Sequence, residues 1–327
     1  MGKINLIYKK LKQKLIREMR KPFLIAEGKK QVRELASKMQ QDDVYVILPS
    51  LIGDFCYAMA YMRDFCRQKQ DEGKTVTVFL LEARKPMLEL WTNNFKTVFF
   101  PKGNEEYGRI ANIICHKETV FYAQKYNIYA TIPWYAIPHN GKNRRNGFDI
   151  LRNDMLQIGN DAAIEYPKVP KVKVKAIPDF ELRKGRVVVM NPYSNSMGYM
   201  DITIYEEMAS ILRKKGYDVY TNVVGDQQSV EGTRPLDCPI FELYNICNEI
   251  PLFISIRSGI IDFCVSAKCK LFIISFGLRK FMTNDFYYTN ELKYWQTGNV
   301  TEFINKSKED TLARFSAFVK DMKDYND

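Results

Sequence analysis

The chain has 327 residues, 46% of them hydrophobic and 13% aromatic, which is long for one core and ample for two. No apolar run approaches the ~20 residues needed to cross a bilayer, and the N-terminus has neither the apolar block nor the small-residue cleavage site of a secretory signal, so a cytoplasmic protein is expected. Seven cysteines without metal spacing read as reduced core thiols, and with only His116 and His139 a histidine-ligated metal or a Ser-His-Asp triad is not expected.

The net charge of +11 is concentrated at the start. Residues 1–30 hold ten Lys or Arg against Glu18 and Glu27, a net charge of +8. Ile4, Tyr8, Leu11, Leu15 and Met19 fall on one helical face with lysines on the other. Residues 1–21 therefore fit a helix lying on an anionic membrane, where each nearby base contributes about 1 kcal/mol. The alternative is a helix docked on the protein's own body with a solvated basic face. No recognition motif accompanies the basic block, so nucleic acid is not an expected partner. A second helical stretch over 26–39 completes a basic helical arm, residues 1–40.

Residues 41–170 read as the first domain. Val44–Leu48 is a strand that ends in Pro-Ser-Leu-Ile-Gly-Asp, and Gly53 and Asp54 open a helix with Phe55, Ala58, Met59, Met62 and Phe65 at helical spacing. An aspartate above a strand's carboxyl end is where ligands bind in open α/β sheets and where a carboxylate can face a substrate hydroxyl, although Asp54 as a plain helix cap fits equally. Further strands are expected at Thr75–Leu81, Thr97–Phe100, Thr119–Tyr122 and Ile128–Ile132, with helices at Pro86–Phe95 and Tyr107–His116, which makes a parallel sheet. The loop that follows carries Trp134, Tyr135, His139, Lys142, Arg144 and Arg145. Rings beside bases suit a sugar or phosphorylated ligand, and a solvated loop is the plainer reading.

From Tyr166 to Gly185 three prolines and six basic residues mark a change of composition, and the linker is placed at 171–185. The βα rhythm then restarts in a second domain, 186–300. Arg186–Met190 is a strand, Asn191–Gly198 a polar loop, and Thr203–Lys215 a helix opened by capping-box spacing from Thr203 to Glu206. Tyr217–Val224 is a strand and Phe241–Asn248 a helix. The apolar run Leu252–Ile256 then ends on Arg257, Ser258 and Gly259 before Ile260, Ile261, Cys264 and Val265 resume helical spacing. Such a turn offers unpaired N–H groups, a glycine that admits a ligand and an arginine fork for phosphate. It equally fits an arginine that merely pairs with Asp262. Cys269–Phe276 closes the strand series, and Glu302–Lys323 is expected as one or two helices within a C-terminal segment, 301–327.

The strand, loop, Gly53-Asp54 and helix over Val44–Phe65 resemble the N-terminal signature of the heptosyltransferase-like glycosyltransferases of GT-B architecture. The order of elements from Arg186 to Asp262 resembles the donor-binding domain of the same group. The resemblance covers about residues 42–280 and rests on pattern more than identity. Heptosyltransferases carry Asp-Thr-Gly and a following histidine where this chain has Arg257, Ser258, Gly259 and Asp262, and the Asn191–Gly198 loop has no lysine for the donor phosphate. An arginine at that turn resembles fucosyltransferase-like members and can stand in for the missing lysine.

The resemblance implies two Rossmann-like parallel-sheet domains facing a central cleft, with the basic helical arm added. It implies Asp54 as catalytic base, with Gly53, Trp134, Tyr135, His139, Arg144 and Arg145 on the acceptor side. Tyr193, Ser194, Asn195, Ser196, Asn222, Arg257, Ser258, Gly259 and Asp262 fall on the donor side. The implied activity is transfer of a sugar from a nucleotide sugar to a glycan or lipid-linked acceptor in bacterial-type surface polysaccharide synthesis, at the inner face of the cell membrane. No Asp-x-Asp triplet occurs, so no metal or other cofactor is expected, and leaving-group charge falls to Arg257 and the helix start. An inactive relative that recruits glycan, and a nucleotide-sugar epimerase, are the competing readings.

Overall fold

The computed structural model describes residues 2–91, 94–111, 113, 117–131, 147–159, 161–194, 200–276 and 292–325. They form two compact units, the first from the described parts of 1–50, 58–138 and 147–165, the second from 51–57 and the described parts of 166–327.

The chain opens on α1 (Gly2–Ala36), a single helix of 35 residues with Pro22 inside it, where two helical stretches were expected. Its C-terminal third buries Val32 and Leu35 in the first unit, whereas Met19 and Phe23 are 73% and 71% exposed. Among the described residues no helix is long and apolar enough to cross a membrane.

The sheet of the first unit is all parallel, with strands β1 (Asp43–Ile47), β2 (Thr75–Leu81), β3 (Lys96–Phe100) and β4 (Ile128–Ala130) in the order β3-β2-β1-β4. Val46 stands between Val78 and Tyr129 in the register. Val44, Val46, Val78, Leu80 and Ile128 are all buried, as a sheet covered on both faces requires. Helices α2 (Ile52–Met59) and α3 (Met62–Asp71) follow β1, where one continuous helix was expected. Next come α4 (Lys85–Leu88), four residues long against the expected Pro86–Phe95, and α5 (Glu105–Ala111).

The expected strand over Thr119–Tyr122 is helical, inside α6 (Lys117–Gln124). Four β-branched and aromatic residues in a row favour a strand locally. Here Val120 and Ala123 are buried and Glu118 meets Lys21 of α1, so packing overrides propensity. A short α7 (Gly147–Asp149) runs into a π-helical turn, Ile150–Met155, and ends the first unit's helices.

In the second unit the proline-rich segment is strapped along a helix. Glu242 accepts from the N–H groups of Lys175 and Ala176, and Asn245 donates to the Pro170 carbonyl. After α8 (Phe180–Arg183) comes a six-stranded parallel sheet of β5 (Val187–Asn191), β6 (Asp218–Asn222), β7 (Arg234–Leu236), β8 (Leu252–Ile256), β9 (Lys270–Phe276) and β10 (Val300–Asn305). Its order is β10-β9-β8-β5-β6-β7. Numbered from β5, this is the doubly wound order 3-2-1-4-5-6 of dinucleotide-binding folds. Every residue of β5 and β8, the two central strands, is buried.

The helices of this unit are α9 (Ile202–Lys214), α10 (Ile240–Cys247), α11 (Gly259–Cys264) and α12 (Lys308–Val319). Asp201 caps α9, its carboxylate accepting from the N–H and hydroxyl of Thr203. Thr203 is thus a first-turn residue, and the expected capping box from Thr203 is replaced by the stronger aspartate cap. The chain end is also corrected. Val300–Asn305 is a strand paired with β9, and the helix begins only after Ser307, whose hydroxyl accepts from the Asp310 N–H.

Candidate functional site

In each unit the winding reverses beside the first strand, between β1 and β4 and between β5 and β8, and ligands of open α/β sheets bind outside the carboxyl ends of strands at such points. The chain leaving β1 is fixed firmly there. The Tyr107 hydroxyl donates to the Leu48 carbonyl at 3.1 Å and Arg84 Nε to the Ser50 carbonyl at 2.6 Å.

At the second unit's crevice the strand ends are polar and joined. Asn222 at the end of β6 donates to Asn191 Oδ1 at the end of β5 (2.9 Å), and Asn191 Nδ2 faces Ser255 Oγ (2.9 Å) and Ser258 Oγ (3.3 Å). All four side chains are buried, so this chain of amides and hydroxyls spans three strands with its partners satisfied. Tyr193, just past β5, donates to the Gln228 carbonyl at 2.5 Å and ties the two loops on that edge together.

Next to this ladder lies the turn from β8 to α11. Arg257 makes a two-pronged pair with Asp262, 2.8 Å on each arm, and also donates to the Ser258 carbonyl. The two side chains are 12% and 7% exposed. Burial works against the guanidinium's charge, and Asp262 in contact outweighs it, so the Arg257 pKa stands above its usual value. The Trp295 indole N–H donates to the same carboxylate at 3.2 Å.

Residues 51–57, which carry Gly53 and Asp54, belong to this second unit. A Cβ on Gly53 would sit 2.7 Å from both Asp262 Oδ2 and Gly259 Cα, and one on Gly259 would sit 2.7 Å from the Gly53 nitrogen. Two glycines let the first turns of α2 and α11 meet backbone to backbone. Asp54, third residue of α2, is half-buried, and its pKa is pushed up to about 6 by burial and then by Asp262, with Arg257 opposing. A helix start alone favours the ionised form, so here burial and a like charge win over the dipole. A carboxylate titrating near 6 is mostly ionised at neutral pH yet far more basic than an exposed aspartate, which suits it to take a proton from a hydroxyl.

The structure thus brings Gly53, Asp54, Arg257, Ser258, Gly259 and Asp262 together and sets Tyr193, Ser194 and Asn222 at the strand ends of the same unit. Asn195, Ser196, Trp134, Tyr135, His139, Arg144 and Arg145 lie outside the described residues. Sequence reasoning missed Asn191, Ser255, Trp295 and Glu302 as members of the site. A polar residue closing each β run, and a serine inside the apolar run of β8, are signals for the first two. Trp295 and Glu302 come from 33 and 40 residues beyond Asp262 along the chain and leave no local signal.

The sequence matches no protein-family model and no curated protein. The fold, two doubly wound parallel sheets in one chain, is similar to that of solved heptosyltransferases of GT-B architecture. It is similar to the E. coli heptosyltransferase WaaC solved with ADP, with a TM-score of 0.53, 8% identity and coverage of 85% of this chain and 99% of that one. It is similar to E. coli ADP-heptose LPS heptosyltransferase II (TM-score 0.51, 9% identity, 85% and 99% covered). The glycosyl transferase family 9 protein of Veillonella parvula DSM 2008 gives a TM-score of 0.50, 12% identity and coverage of 88% and 92%. At such identities the shared property is the fold.

Proposed function

We propose that the protein is a metal-independent glycosyltransferase, moving a sugar from a nucleotide-sugar donor to a glycan or lipid-linked acceptor in bacterial-type surface polysaccharide synthesis. The observation that carries this is Asp54, a carboxylate raised to about 6 in the first turn of α2, beside a crevice of dinucleotide-binding topology. Asp54 takes the acceptor hydroxyl's proton as that oxygen bonds to the sugar's anomeric carbon, and the bond from that carbon to the donor phosphate breaks. The nucleoside diphosphate leaves with the electron pair. Its place is over the ends of β5 and β8, by Tyr193, Ser194, Asn195, Ser196 and Asn222 and the turn of Arg257, Ser258, Gly259 and Asp262. A similar fold solved with ADP supports a nucleoside diphosphate there. Gly53, Trp134, Tyr135, His139, Arg144 and Arg145 serve the acceptor.

The exposed Met19, with Phe23 one turn further along the same strongly basic helix, supports docking of residues 1–21 on the anionic inner face of the cell membrane, where a lipid-linked acceptor lies.

A panel of ADP-, GDP-, UDP- and CMP-sugars tests the reading. The expected result is slow release of nucleotide without acceptor and faster transfer with one. Asp54→Asn should lower transfer about 10²-fold or more while nucleotide binding persists. Sugar isomerisation, or no turnover of any donor, overturns the assignment.

A further inference from the structure

We propose that Asp262 acts on transfer through Asp54: locked by Arg257 and Trp295 and resting against the Gly53 backbone, its carboxylate holds the first turn of α2 in place and opposes the charge on the Asp54 carboxyl. The proposal rests on the reading of Asp54 as the acceptor's base.

The geometry is that of a fixed carboxylate. Oδ1 accepts from Arg257 Nη2 at 2.8 Å and from Trp295 Nε1 at 3.2 Å, and Oδ2 accepts from Arg257 Nη1 at 2.8 Å. Oδ2 also occupies the space a Gly53 side chain would need. Trp295 is held in turn. Its carbonyl accepts from the Tyr166 hydroxyl, and its turn, Leu292–Trp295, is anchored where Glu302 on β10 accepts from the Leu292 N–H (2.8 Å) and from Ser275 Oγ (2.7 Å). A chain of contacts from the far edge of the sheet therefore ends on the residue before Asp54.

The charges divide the same way. Among the described residues Asp54 faces Asp262 from α11 and Arg257 from the end of β8, and α2 holds no other charged side chain. Glu302 faces Arg257 as well. Arg257 alone would make Asp54 a weaker base, since an opposite charge nearby favours the ionised form. Asp262 takes both arms of the guanidinium and adds a like charge of its own. Arg257 and Asp262 are thus positioning residues for Asp54, whatever contacts they make with the donor.

The experiment follows the Asp54 carboxyl directly, by the 13C shift of labelled aspartate in the full chain across pH, assigned by its loss in Asp54→Asn. In Asp262→Asn the Asp54 midpoint should fall by about one pH unit or more, because the Arg257 fork then acts on it unopposed. The acid limb of kcat/KM should move down by the same amount. Should Asp262→Asn fail to fold with Arg257 unpaired, the double variant Arg257→Leu/Asp262→Leu removes both charges, and its midpoint should lie below the parent's, because Asp262 acts on Asp54 more strongly than Arg257 does. A parental Asp54 midpoint in whichever variant folds overturns the proposal. Parental transfer by Asp54→Asn is a different failure, since it removes the base assignment and leaves the titration result intact.

Discussion

Asp54 shows how far a single residue can be read from its neighbours in sequence. Gly-Asp after a strand locates the carboxylate at a helix start, and that local context argues for a low pKa. The raised value comes from the apolar surroundings of α2 and from Asp262, 208 positions later, which no local pattern contains. The shift has a sign that stability can test. With a folded pKa of about 6 against about 3.9 unfolded, the folded chain binds the extra proton between those values, so the contribution of Asp54 to stability falls as pH rises from 4 to 6 and is flat above. Asp54→Asn should therefore melt above the parent at pH 8 and close to it at pH 4. Equal melting temperatures at both pH values would mean an unperturbed carboxylate. Arg257 makes the complementary point. The sequence left its partner open between phosphate and Asp262, and the structure shows the fork engaged by Asp262. Arg257→Ala leaves a 7% exposed carboxylate without its charged partner, which should cost about 3–5 kcal/mol in chemical denaturation.

Among the elements, α1 is covered toward its C-terminal end and exposed before it. Its C-terminal third is docked on the first unit through Val32 and Leu35, while Met19 and Phe23 stand in solvent. The division predicts that Met19→Glu/Phe23→Glu keeps the parental melting temperature and loses sedimentation with anionic vesicles, an effect that high salt mimics by screening. Equal sedimentation of variant and parent would exclude these two side chains from the membrane contact. Two other elements show where periodicity fails. The run Thr119–Tyr122 has strand-like residues and is helical because α1 covers it. Glu302, read as a helix start, lies in a strand because Thr301, Phe303 and Ile304 pair in register with Phe272, Ile274 and Ser275. In both cases the deciding partner is remote in sequence.

For the whole molecule the alternation of strands and helices was legible, and so were two parallel-sheet units, because central strands such as Val187–Asn191 and Leu252–Ile256 are apolar runs broken only by Asn191 and Ser255. Strand order was not legible. The three-residue β7 and the half-polar β10 carry too little signal to be counted, and without them the 3-2-1-4-5-6 order of the second sheet cannot be assembled. At this scale the expected pH dependence of transfer is a fall in kcat/KM below about pH 6, and a flat profile down to pH 4.5 would move the base elsewhere.

The grouping of residues 51–57 with the second unit bears on how such a chain can be recombined. A chimera joined in the proline-rich segment would graft residues 166–327 onto a foreign first half and leave Leu51–Tyr57 behind. Gly259 and Asp262 would then meet whatever segment the host supplies, and any residue but glycine at the place of Gly53 puts a Cβ 2.7 Å from a backbone atom. Among the described residues the exchangeable module is therefore discontinuous, Leu51–Tyr57 together with those from Tyr166 onward.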